Sequence, residues 1–185
     1  GHLVDKSLVV ADGEELPRYR MLETVRAFAL EQLAASGETP TLLRRHAEAL
    51  LAILAPVNDR RFALTLVESV RHGAELDNLR AALAWAESEA DNRALAFELI
   101  GSSRCIWFSL NLLNEGIERA LRLLPLPDGL PLDIEARFNL LLGSLGYLGA
   151  RRECFLAALR AAELYRSSGN TAHQIDALVS AAQFG

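Results

Sequence analysis

A single change of period constrains this chain more than any other feature. Across Arg18–Met21 charged and apolar side chains alternate, which puts Tyr19 and Met21 on one face of an extended segment. From Leu22 onward the spacing is helical, with Leu22, Val25, Ala29 and Leu33 on one stripe, flanked by Phe28. The switch falls at Thr24 or just before it. A strand running without a break into a helix closes a small mixed unit, and everything downstream reads as helix after helix.

Upstream, Leu3–Lys6 reads as the last turn of a helix and Ser7–Ala11 as a strand. Asp12-Gly13 is a turn signal, Pro17 closes a loop, and Arg18–Leu22 returns as the second strand. The expected product is a hairpin with a long acidic loop. Two strands alone are marginal in water, so the hairpin must lean on the helix that follows or on residues that precede it. Downstream, Glu23–Ser36 is the first full helix, stopped by Gly37. Thr39-Pro40 supplies an N-cap and a first-turn proline for a helix to about Ala55, with Leu43, Ala47, Leu50, Leu51 and Leu54 on one face and Pro56 as its breaker. A third helix is expected to bury Phe62, Leu66, Val67 and Val70 and to stop at Gly73. A fourth starts near Glu75 and carries Leu76, Leu79, Leu83 and Ala86, with Trp85 beside them.

From Arg93 the text repeats. Leu99-Ile-Gly-Ser recurs as Leu141-Leu-Gly-Ser, Glu115–Leu124 resembles Cys154–Tyr165, and Ala120 and Ala161 take like places. A third unit opens at Thr171. These intervals bracket the two-helix repeat families, whose tetratricopeptide type has a period of about 34 residues. The Pro125–Pro131 segment accounts for the longer first interval. Half a repeat exposes an apolar face, so both ends read as cut and the chain as an excised fragment. The predicted fold class is mainly α: a tetratricopeptide-like helical-repeat array preceded by a short β-hairpin.

Composition narrows the function. With 51% hydrophobic and 23% charged residues the chain is a folded one, and its net charge of −5 lacks the basic excess that binding a phosphate backbone needs. Cys105 and Cys154 lie far apart in apolar helical patterns and read as small buried hydrophobes, which favours a reducing, cytoplasmic setting. No apolar run approaches the ~20 residues that span a bilayer. The phosphate-binding Gly-x-x-x-x-Gly-Lys-Ser/Thr loop is missing. Gly143, Gly146 and Gly149 follow a helix and point to close helix packing. His46, His72 and His173 lack partners at metal-ligand spacing and read as surface or edge residues. Glu87 and Glu89, two apart, read as solvated. The doublets Arg44-Arg45, Arg60-Arg61 and Arg151-Arg152 sit among acids and read as helix surface. Trp85, Trp107 and Phe108 read as core.

Three stretches carry a family resemblance: Leu3-Val-Asp-Lys-Ser-Leu-Val, Tyr19-Arg-Met-Leu-Glu-Thr-Val-Arg-Ala-Phe-Ala, and Asp77-Asn-Leu-Arg-Ala-Ala-Leu-Ala-Trp-Ala. Together they resemble bacterial regulators of the STAND ATPase group, the NB-ARC-like proteins of LuxR and AfsR type. The resemblance implies a nucleotide-binding P-loop domain, a winged helix and tetratricopeptide repeats in that order. It makes residues 1–36 the end of the winged helix, 37–91 a helical connector and 92–185 the first repeats. In that family a Met-His-Asp triplet at the strand-to-helix junction senses bound ADP, and the matching positions here are Met21, Leu22 and Glu23. Leucine cannot donate a hydrogen bond to phosphate, so a retained sensor would differ from the histidine version. The residues alone read otherwise: Met21 and Leu22 as strand-end core, Glu23 as a charge at the helix N-terminus. The repeats also depart from the family pattern, since Gly143 and Gly149 are one residue closer than usual and Cys154 stands where alanine is common. The resemblance implies no cofactor in this fragment, and ATP or ADP with Mg in the parent. Its partners would be a protein, peptide or small-molecule inducer on the repeat groove, and the nucleotide-binding domain of the same chain. Neither nucleic acid nor membrane contact by this fragment is expected. The alternative is a stand-alone helical-repeat adaptor. No constellation of nucleophile, base and orienting group points to an enzyme.

Overall fold

The computed structural model describes residues 2–12, 18–58, 65–146 and 151–184. Within them the chain is mainly α-helical with a two-stranded antiparallel sheet, as expected. It divides into two compact units, 1–44 and 45–185.

In the first unit, α1 (His2–Asp5) ends where Ser7 adopts a left-handed φ of 55°. The Ser7 and Leu8 amides then donate back to Val4 and Leu3 carbonyls at 2.8 and 3.0 Å, which satisfies the end of that turn. β1 (Val9–Asp12) pairs with β2 (Arg18–Met21), Val9 opposite Met21 and Ala11 opposite Tyr19. The hairpin forms with shorter strands than expected, because Ser7 belongs to the turn and Leu22 to the helix start. Most of its acidic loop, 13–17, lies outside the described residues. Helix α2 (Glu23–Ser36) closes at Gly37, whose φ of 73° a glycine adopts without strain. Val25, Ala29 and Leu33 are its half-buried stripe, and Phe28 is 63% exposed.

Helix α3 (Thr39–Asn58) departs from expectation at both ends. Thr39 is its first helical residue, not its cap, and its Oγ1 donates to the Leu33 carbonyl at 3.2 Å. The helix also continues through Pro56 to Asn58, two residues past the expected breaker.

In the second unit Ala47, Leu50 and Leu54 of α3 are buried, and Leu51 packs against the same core. Helix α4 (Leu66–Gly73) starts with a capping box that the sequence reading missed. The Glu68 amide donates to Thr65 Oγ1, and the Thr65 amide to the Glu68 carboxylate. Val70, expected in the core, is 66% exposed, and the buried side of the helix carries His72, expected at the surface. Phe62 and Arg60-Arg61 lie outside the described residues, as do the side chains of Leu66 and Val67. In α5 (Leu76–Ser88) the expected stripe holds: Leu79, Leu83 and Ala86 are fully buried, with Leu76 and Trp85 against them.

A 3-10 turn at Ala90–Asn92 leads into α6 (Arg93–Ser102), and Ser103 separates it from α7 (Arg104–Ser109). Ser103 Oγ donates to the Ile100 carbonyl and accepts from the Trp107 indole N–H, both at 2.7 Å. One hydroxyl therefore closes the first helix and anchors the largest core side chain. Phe108, expected in the core, is 38% exposed. There follow α8 (Leu113–Leu123), α9 (Leu132–Leu145), α10 (Arg152–Ser167) and α11 (Thr171–Ala182). α9 packs on α6 and α8 and carries α10, which in turn packs on α11. Phe97 and Phe138 meet edge to face at 4.7 Å across α6 and α9.

Glycines set the helix spacing. A Cβ on Gly143 would lie 2.7–2.8 Å from the Cβ and backbone of Ala158, and one on Gly146 would overlap Cys154. The expected close packing is present at these two positions, and Gly149 lies outside the described residues. Polar ties complete the unit. Arg80 of α5 grips Glu115 of α8 with two bonds, of 2.9 and 2.6 Å, and holds its carboxyl below the ordinary range. Arg119 bonds the same carboxylate at 3.2 Å and lies 3.9 Å from Glu87, so Glu87 is partly buried and paired rather than solvated. Arg93 donates to the carbonyls of Leu123 and Pro125, which neutralises the C-terminal end of α8.

Gly143→Val is expected to destabilise the protein by about 3 kcal/mol, the upper end of the cost of overpacking, because the added atoms meet backbone. Equilibrium denaturant unfolding followed by circular dichroism measures it.

Candidate functional site

The three residues matched to the nucleotide sensor occupy the turn from β2 into α2. Met21 is the last residue of the strand. Leu22 is extended (φ −63°, ψ 145°) and accepts the first helical bond, from the Arg26 amide at 2.9 Å. Met21 is 42% and Leu22 51% exposed, so the strand-end core reading is corrected for both. A four-residue strand backed by few neighbours cannot cover them. Glu23 lies in the first turn of α2 with Arg26 at 3.5 Å, where a negative charge is favoured. Leu22 presents only hydrocarbon, and Glu23 adds an exposed negative charge in the first turn of α2.

In the second unit five helices converge on a notch. It is lined by Gly101 of α6, Arg104 of α7, Arg137, Leu140 and Leu141 of α9, Tyr165 of α10 and His173 of α11. The Arg104 guanidinium donates to Asp176 at 2.9 Å, with side chains only 13% and 3% exposed. That bond joins positions 72 residues apart and ties α7 to α11. The Tyr165 and His173 rings stack at 4.9 Å, and the Asn170 side chain caps α11 by accepting from the His173 amide. Arg137 bonds Asp133 at 2.6 Å and lies 4.0 Å from Glu98.

Leu140, Leu141 and Tyr165 line the notch together with Arg104, Arg137 and His173, and both arginines are paired with carboxylates. The cavity volume of about 10 Å³ is room for about one water, far below the ~300–1,000 Å³ of ordinary small-molecule pockets. Sequence reading placed His173 at the surface and saw neither Arg104 nor Asp176. One weak signal was present: Asp176 is the only acid in an otherwise uncharged helix, α11.

The cysteines show no activated thiol. Both are free; burial pushes the Cys105 thiol up to about 11 and raises that of Cys154. Among the described residues no group of three His, Cys, Asp or Glu side chains could hold a metal ion. No described helix is long and apolar enough to cross a membrane.

No family model and no solved structure matches the chain. It is 42% identical over 121 residues to proteins named "Putative HTH-type transcriptional regulator" from Mycobacterium bovis and from two strains of Mycobacterium tuberculosis. The match covers 62% of this chain and 13% of each relative, so the chain corresponds to a small part of those proteins.

Three outcomes follow from these side-chain environments. Asp176→Ala removes the carboxylate from a buried guanidinium and is expected to cost about 3–5 kcal/mol. Arg160→Ala, which breaks a half-exposed pair with Glu135 and Glu163, is expected to cost about 1 kcal/mol or less in the same unfolding assay. The Cys105 thiol should resist alkylation by iodoacetamide at pH 8 in the native protein and react on unfolding, as read by mass spectrometry.

Proposed function

We propose that this chain is a non-catalytic regulatory and protein-interaction segment of a transcriptional regulator. The observation that carries the reading is its 42% identity over 121 residues to proteins bearing that name. In finer detail the parent is a signal-responsive ATPase of the STAND group. On this reading the β1–β2 hairpin and α2 close a winged helix, α3 to α5 form a connector, and α6 to α11 are tetratricopeptide-like repeats. ATP or ADP with Mg binds elsewhere in the parent, and the Met21–Glu23 turn faces its nucleotide-binding domain without the histidine contact. The groove of the repeats receives a protein, peptide or small-molecule signal, and that binding shifts the parent between a held and a released state. The parent acts in the cytoplasm.

What supports this reading is the order of elements, a hairpin and helix followed by a helical array; Leu22 departs from the family's histidine. The second reading is a stand-alone helical adaptor. A P-loop within a few hundred codons upstream of Leu3, in frame, separates the two.

Isothermal calorimetry of the chain with ATP and with ADP, each with Mg, should show no binding. Micromolar affinity for either nucleotide would overturn the non-catalytic assignment.

A further inference from the structure

The connection between α8 and α9 is fixed at both ends and open in the middle. Arg93 holds its start by donating to the Leu123 and Pro125 carbonyls at 2.8 and 2.6 Å. Pro131, extended at φ −54° and ψ 135°, leads into α9. Leu126 and Leu130 pack against the core. Between these two leucines stand Pro127, Asp128 and Gly129. They form a tight turn closed by one long bond, from the Leu130 amide to the Pro127 carbonyl at 3.4 Å. Gly129 takes a left-handed φ of 74°, which glycine adopts without strain. Asp128 and Gly129 are both exposed, and a Cβ on Gly129 would meet no atom within 4 Å. Among the described residues the Asp128 carboxyl has no partner and the Gly129 amide donates to nothing.

We propose that Asp128 is a modification site, at which the folded protein converts aspartate to isoaspartate without an enzyme. The Gly129 amide nitrogen attacks Cγ of Asp128. A new N–C bond forms, and the amide proton and the carboxyl hydroxyl leave as water, which gives a five-membered succinimide. Water then reopens the ring. Breaking the bond to Cγ restores aspartate. Breaking the bond to the former main-chain carbonyl sends the backbone through Cβ and Cγ and leaves the α-carboxylate as the side group. One water leaves and one enters, so no other reactant is needed and the mass is unchanged. Three features of the turn favour the step. The attacking nitrogen is not engaged in a hydrogen bond. The residue that carries it has no side chain to block the approach. The space around the tip is empty, so it can rotate into the ring while Arg93, Leu126 and Leu130 stay in place. Asp176 is the opposite case: it is buried within α11, and the amide that follows it belongs to fully buried Ala177 in the helix ladder. Isoaspartate at 128 would lengthen the backbone by one atom between two anchored leucines, in the connection that leads α8 into α9.

The test incubates the folded 185-residue chain at 37 °C and pH 7.4 for several weeks, beside a synthetic peptide of residues 123–137. Isoaspartate is counted in the tryptic peptides by chromatography and by methyl transfer from S-adenosylmethionine, with an isoaspartate-specific carboxyl methyltransferase as the probe. Isoaspartate in peptide 123–137 should accumulate in the folded chain at a rate within about tenfold of that in the free peptide, because exposed loop tips are where such change concentrates. It should also exceed the amount at Asp176. Asp128→Glu should abolish the signal in that peptide, since the longer side chain would have to close a six-membered ring, and should leave the denaturant midpoint unchanged. A native rate suppressed beyond that tenfold limit would overturn the proposal. So would an amount no higher than at Asp176, or a signal that survives Asp128→Glu. The Asp12-Gly13 pair falls in a different tryptic peptide, residues 7–18, and is scored apart.

Discussion

The second unit depends on how closely α10 approaches α9. At Gly143 there is no side chain, and the backbone of Ala158 occupies the space one would need. Small residues on both helices, Gly143 and Gly146 facing Ala158 and Cys154, let two backbones come within contact of each other. Dispersion and apolar burial then act over many atom pairs at once. The consequence propagates in both directions. α9 becomes a central post with Phe138 set against Phe97 on one side, and α10 becomes the platform on which α11 rests.

Polar interactions in this unit decide which helix pairs meet, and apolar packing supplies most of the cohesion. The Arg104–Asp176 bond is the clearest case. A buried ion pair recovers little more than its own desolvation, but a lone Arg104 or a lone Asp176 would be costly. The pair therefore fixes how α11 is placed on α7, and with it the shape of the notch. Arg80, Glu115 and Arg119 do the same between α5 and α8 nearer the surface. The first unit has no such centre. Val9 is the only large hydrophobic buried there among the described residues, and Tyr19, Met21, Leu22 and Phe28 remain open.

Much of the fold was legible because helix stripes, stops and small-residue positions are local properties. The burial of Leu79, Leu83 and Ala86, the stop at Gly37, and the close contact at Gly143 all followed from spacing and residue type. Misjudged positions had competing local signals. Val70 fits an apolar stripe, but α4 is only eight residues long and turns His72 inward instead. Pro56 reads as a breaker, yet α3 runs two residues beyond it. Met21 and Leu22 look like core only if something covers them. The candidate notch was largely illegible, since its two most buried charges lie 72 residues apart and each alone resembles a surface residue.

The sequence by itself determined the class: a strand that passes into a helix, followed by helices of repeating design, with no phosphate-binding loop and no excess of positive charge. Periodicity and composition are enough for that, because each helix needs only one apolar stripe and a stop. Only the tertiary structure decided which charges are buried together, that Ser103 both ends α6 and holds Trp107, and that α11 keeps one face uncovered. Those outcomes depend on distances between segments far apart in the chain. Such distances are set when backbones meet at glycine and alanine, a sum of many small contacts that no local pattern records.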